Sequence, residues 1–117
     1  MSIDRRGAPR FACGIDTQLA LAGALIESVQ TVDLSFSGIC VLTPDWVPVR
    51  SKVQFRLRVR LAQGCSDGLA LTGETVWCTS VPRGYQVGSS FDSDMASVAW
   101  RRLDIVLRMV RGERPPS

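Results

Sequence analysis

Along residues 52–61, KVQFRLRVRL, apolar and polar positions alternate without a break. Val53, Phe55, Leu57, Val59 and Leu61 stand opposite Lys52, Gln54, Arg56, Arg58 and Arg60. A period of two predicts a β-strand with one buried face and one wet face. Five other segments read as strands. FACGIDTQLAL (11–21) has no helical period and runs into Ala-Gly, a turn signal. ALIESVQTVDLS (24–35) is rich in β-branched residues. SGICVLT (37–43) is a short apolar run that ends at PDWVP, whose prolines break a ladder. LALTGETVWCTS (69–80) carries Gly73, which suggests a bulge or bend. YQVGSSF (85–91) follows a PRG turn, and QGCSDG (63–68) reads as a loop. Six strands joined by short turns predict a mostly β fold, a six-stranded antiparallel β-barrel, because closure removes exposed edges.

The pattern then changes period. SDMASVAWRRLDIVLRMV (93–110) predicts a C-terminal α-helix, capped by Asp92 or Ser93 and stopped by Gly112, Pro115 and Pro116. Arg101, Asp104, Arg108 and Arg111 fall on one stripe. The apolar residues cover an arc of roughly 220°. So wide an arc leaves two readings: a helix sunk deeply against the barrel, or one whose outer edge (Val98, Ile105, Met109) meets a partner or a second copy. The chain divides into an arm (1–10), a barrel (11–92), a helix (93–111) and a tail (112–117), one domain in all.

Composition narrows the class. With 117 residues, 45% apolar and 21% charged, the chain suits one globular core. No apolar run reaches the roughly 20 residues of a membrane span. The polar start is unlike a secretory leader, so a cytoplasmic protein is expected. Thirteen arginines stand against one lysine, Lys52. A codon bias explains that ratio for most of them, but not their clustering. The cysteines Cys13, Cys40, Cys65 and Cys78 lack metal-ligand spacing and read as reduced packing residues. The chain has no histidine, which removes Ser-His and Cys-His nucleophile activation and points away from an enzyme.

The clustering of arginines leads to the candidate chemistry. DRRGAPR (4–10) holds Arg6-x-x-x-Arg10, directly preceded by Arg5. Further on, DLSFSG gives Asp33-x-Ser35-x-x-Gly38 at the end of the second strand. Arginine forks can hold phosphate oxygens or the O6 and N7 of guanine, and their planes stack on purines. Asp33 can accept from guanine N1–H and N2–H₂. Ser35 offers a hydroxyl to a phosphate or base edge, and Gly38 permits a tight turn or a close backbone approach. Trp77 is either an aromatic platform for a base or a half-buried core tryptophan.

Together, in this order and ahead of a short barrel, these motifs resemble the PilZ domain, a bacterial receptor for cyclic di-GMP. The resemblance extends to the Trp in ETVWC, to YQVGSSF and to the terminal helix. It implies that the first motif is a loop entering the barrel, the second lies on the barrel surface, and the nucleotide is held between them. Ligand-binding residues would be Arg5, Arg6, Arg10, Asp33, Ser35, Gly38 and Trp77. An arginine before Arg-x-x-x-Arg goes, in that family, with a stacked pair of ligand molecules. The expected protein is a single-domain adaptor without cofactor or catalysis. Its arm orders on binding, and it acts on an unidentified protein partner as a monomer or weak homodimer. Two other readings stay open. One is a PilZ-like interaction module that binds no nucleotide. The other is a small basic barrel that binds single-stranded nucleic acid along Arg56, Arg58 and Arg60, although no aromatics interleave with that stripe.

Overall fold

The computed structural model describes residues 11–58, 60, 61, 64, 65 and 68–110. Its main body is a closed antiparallel barrel of six strands. They are β1 (Phe11–Leu21), β2 (Ala24–Leu34), β3 (Gly38–Thr43), β4 (Lys52–Arg58), β7 (Leu69–Val81) and β8 (Gly84–Phe91). Around the barrel the order is β1-β2-β3-β8-β7-β4. Two short strands, β5 (Arg60–Leu61) and β6 (Gly64–Cys65), pair with each other between β4 and β7. The barrel expected from the alternation is therefore present. The single strand expected over 52–61 is shorter, ending at Arg58, and part of the expected loop 63–68 pairs back on 60–61.

The alternation in β4 works as its sequence dictates. Val53, Phe55 and Leu57 are buried, whereas Lys52, Gln54, Arg56 and Arg58 are exposed. The inward side chains meet Leu19, Val29, Ile39, Val41, Leu71 and Val87 from the other strands. Each fully buried side chain of this size contributes roughly 1.5–3 kcal/mol. Ala22 (φ 49°) and Gly23 (φ 82°) close the β1–β2 hairpin. Both central residues take positive φ, as the right-handed strand twist favours. Gly73 marks no bulge. It pairs in register with Val53 and Phe91, and a Cβ there would run into the Ser90 carbonyl oxygen. Its smallness serves close strand approach.

Helix α1 (Ser97–Val110) begins later than the expected 93. Asp92 is still tied to the barrel, donating its N–H to the Thr72 carbonyl (3.0 Å), and the Thr72 N–H meets the Met95 sulfur at 3.4 Å. Met95 is buried there, so the chain wraps the rim before it coils. Ala99, Leu103, Val106 and Leu107 face inward, and the helix rests on β1 and β7. Lys52 links this rim to the wall, 3.3 Å from Asp92 and 3.5 Å from Glu74. Asp92 first, then Glu74, raises the Lys52 pKa above its ordinary 10.5. Among the described residues no helix is long and apolar enough to cross a membrane.

Candidate functional site

Strict alternation would place Asp33 and Trp77 inside the barrel. In LALTGETVW, Trp77 is in phase with Leu69, Leu71, Gly73 and Thr75, all buried. Asp33 is in phase with Val29 and Thr31, also buried. Two β-bulges change this. In β7, Thr75 pairs with Ser89 and Trp77 with Gly88, so Val76 is an extra residue. In β2, Thr31 pairs with Val41 and Asp33 with Cys40, so Val32 is extra. An extra residue re-aims the side chain that follows it. Leu34 and Thr31 then both point inward, and Asp33 and Trp77 point outward.

The same register aligns the two residues on one level. Ala12 pairs with Asp33, Asp33 with Cys40, Cys40 with Gly88, and Gly88 with Trp77. Partners directly opposite share a face of the sheet. The outer face of β2, β3, β8 and β7 thus carries a continuous row: Asp33, Cys40, Gly88, Trp77. At about 4.8 Å per strand, Asp33 and Trp77 stand roughly 14 Å apart along it. A Cβ on Gly88 would collide with the Trp77 indole at Cε2, Nε1 and Cζ2, so the ring lies across the bare glycine backbone. Trp77 remains 39% exposed, which sets it on the surface rather than in the core. Cys40 lies between core residues Ile39 and Val41 and faces outward, yet it is buried under its surroundings. Asp33 is half-buried.

The turn beside this row is built by Ser35. Its hydroxyl is fully buried and accepts the N–H groups of Ser37 (3.1 Å) and Gly38 (3.2 Å). The Ser35 N–H donates to the Gly38 carbonyl at 3.0 Å. The hydroxyl is thus engaged in shaping the turn, with Ser37 Oγ 2.9 Å away. Gly38 pairs with Ser90, and a Cβ on it would strike the Ser89 carbonyl oxygen, so only glycine fits. The Ser37 carbonyl accepts the Phe91 N–H at 3.1 Å. Phe36, at the tip, stacks on Trp100 of the helix with centroids 6.4 Å apart, and Phe91 meets the same indole edge-on.

The structure therefore sets Asp33 and Trp77 at the two ends of one outward row, with the Ser35–Gly38 turn beside the Asp33 end. Arg5, Arg6 and Arg10 lie outside the described residues. Strand β1 starts at Phe11 opposite Leu34, so the chain enters the barrel at the Asp33 end of the row. Cys40 and Gly88 escaped the reading of the sequence. A glycine flanked by Val87 and Ser89 in a strand is the signal that could have flagged a ring above it. Cys40 and Cys78 are thiols, whereas the side chains of Cys13 and Cys65 lie outside the described set. A separate cleft between β1, β4 and α1 is lined, among the described residues, by Asp16, Arg58, Val106, Met109 and others, and by none of Asp33, Ser35, Gly38 or Trp77.

The model of the PilZ domain matches residues 4–108. Solved structures of similar fold include the Bacillus subtilis inhibitor of motility MotI/DgrA (TM-score 0.73, 16% identity, 97% of this chain and 55% of that one). A second is the PilZ domain of Escherichia coli YcgR with c-di-GMP (0.66, 14%, 93% of each chain). A third is the K. pneumonia MrkH–c-di-GMP complex (0.52, 17%, 94% and 54%). The chain thus spans little more than half the length of MotI and MrkH. No curated protein matches it in sequence.

Proposed function

The chain belongs to the PilZ domain family, and from that premise we propose that it is a receptor for cyclic di-GMP, a binding module and not an enzyme. The observation that carries this reading is the bulge-set row. Asp33 and Trp77 are turned outward on one level beside the Ser35–Gly38 turn. Asp33 accepts from the N1–H and N2–H₂ edge of a guanine. Trp77 gives a stacking surface, worth about 1–3 kcal/mol per base. Arg6 and Arg10 supply forks to the phosphates or to guanine O6 and N7, and Arg5 offsets the crowded charge of a stacked ligand pair. Ser35 acts through the turn it shapes. Two of the structural neighbours carry c-di-GMP by name, which agrees with this ligand.

In this reading the arm orders across the ligand, and the changed surface is read by a protein partner in the cytoplasm that controls motility, biofilm or polysaccharide output. Calorimetric titration of the purified chain with cyclic di-GMP tests it, with GTP, cyclic di-AMP and a short single-stranded oligonucleotide as controls. Saturable heat with cyclic di-GMP alone is expected. Silence with cyclic di-GMP would leave a PilZ-type interaction module, and binding of the oligonucleotide would favour the nucleic-acid reading. A stoichiometry of two ligands per chain is expected, falling to one in Arg5→Leu. One ligand in the unmutated chain would remove the stacked pair while leaving the receptor.

A further inference from the structure

The outward face of α1 has no described partner. Val98 and Ile105 are seven residues apart, two turns, so one stands above the other. Both are half-exposed, at 54% and 52%. At 100° per residue, Arg101 and Arg108 run along one flank of this ridge and Arg102 along the other. All three are exposed. Arg108 is held by Asp104 at 3.2 Å. Among the described residues neither Arg101 nor Arg102 has a carboxylate partner.

We propose that this face docks an acidic amphipathic helix of another protein. Its apolar residues would sit on Val98 and Ile105, and its carboxylates would meet Arg101 and Arg102. Charge complementarity chooses the occupant. A second copy would set arginines against arginines, with only Asp104 to offset them. A lipid surface calls for a broad apolar face, usually with Trp, Phe or Leu. Here the ridge is one residue wide, and the helix leucines are spent on the barrel. Guanidinium forks suit bidentate carboxylates. Trp100, the residue stacked on Phe36, lies on the other side of the helix, so this face is distinct from the row. The docking surface stands whether or not the row binds nucleotide.

The test uses the full isotope-labelled chain, with and without cyclic di-GMP. It is titrated with a synthetic helix-forming peptide carrying leucines on one face and glutamates on both flanks. The controls are the same peptide with lysines in place of glutamates, phosphatidylglycerol vesicles, and sedimentation equilibrium of the chain alone. The acidic peptide should shift the amides of Val98, Arg101, Arg102 and Ile105 saturably. The lysine peptide, the vesicles and self-association should give nothing at these residues. Arg101→Glu with Arg102→Glu should weaken acidic-peptide binding about tenfold or more, and Ile105→Ser should weaken it as well. These side chains are exposed, so unchanged melting is expected and separates loss of docking from loss of fold. No binding, shifts confined to other residues, undiminished binding by the double variant, vesicle capture, or a dimer abolished by Ile105→Ser would each overturn the proposal.

Discussion

Gly88 shows how one missing side chain organises the candidate site. The Trp77 indole occupies the space a Cβ would need, so Gly88→Ala must push the ring off the wall. Tryptophan fluorescence should shift in the unliganded variant, and cyclic di-GMP affinity should fall roughly 5- to 150-fold, the worth of one stacked base. Ser89, next in the strand, is a different case. Its hydroxyl is buried and unpartnered among the described residues. An unmet buried hydroxyl costs about 1–3 kcal/mol, so Ser89→Ala should be neutral or stabilising by up to that amount. Urea denaturation would show a higher midpoint at unchanged slope. Ser35→Ala carries the opposite sign. It strips two turn N–H groups of their buried acceptor and should lower stability by about 1–3 kcal/mol in the same assay. The sequence displays these serines alike, because whether a hydroxyl is satisfied depends on a partner it does not name.

At the scale of elements, β4 could be read from strict alternation and the other barrel strands from β-branched content, short apolar runs and turn signals, because buried Thr17, Thr31, Thr43, Thr75 and Ser89 interrupt the apolar pattern elsewhere. The bulges could not. Val32 and Val76 are ordinary strand residues, and only pairing with β3 and β8 shows them to be extra. This is why Trp77 reads equally well as a core residue, and why the level shared with Asp33 is invisible in the chain. The start of α1 at Ser97 departs from the capping pattern for a related reason. Asp92 and Ser93 are good caps in isolation, but hydrogen bonds to Thr72 hold Asp92 and Met95 on the barrel rim. The wide apolar arc divides: Leu103, Val106 and Leu107 are buried, Val98 and Ile105 are exposed, and Met109 is half-buried. The Ser35–Gly38 turn and the first turn of α1 meet through Phe36 and Trp100. An aromatic pair adds about 0.5–1.5 kcal/mol, so in Phe36→Ala the amides of Ala99 and Trp100 should exchange roughly 2- to 10-fold faster. Unaltered exchange there would mean that the helix is anchored by its leucines alone.

For the whole molecule, the barrel and the turn provide a wall with a carboxylate at one end of a row and a ring at the other, and β1 begins at the Asp33 end, opposite Leu34. The proposed phosphate ligands Arg5, Arg6 and Arg10 precede it in the sequence. A ligand bound only by the folded chain must stabilise it, by about 2.7 kcal/mol at one hundred times its Kd. Cyclic di-GMP should therefore raise the melting temperature, and the Ile3–Phe11 amides should gain protection from exchange. Charge attraction alone would give part of this, so the sharper question is whether Asp33, an anion, helps an anionic ligand bind. The measurement is titration of the native chain and of Asp33→Ala with cyclic di-GMP at two salt concentrations. If Asp33 reads the guanine edge, its loss removes charge-assisted hydrogen bonds worth about 1.5–3 kcal/mol, and affinity drops roughly 10- to 150-fold at both salts. Tighter binding by Asp33→Ala, with a steep salt dependence in both proteins, would contradict the account and mark the wall as a nonspecific polyanion surface.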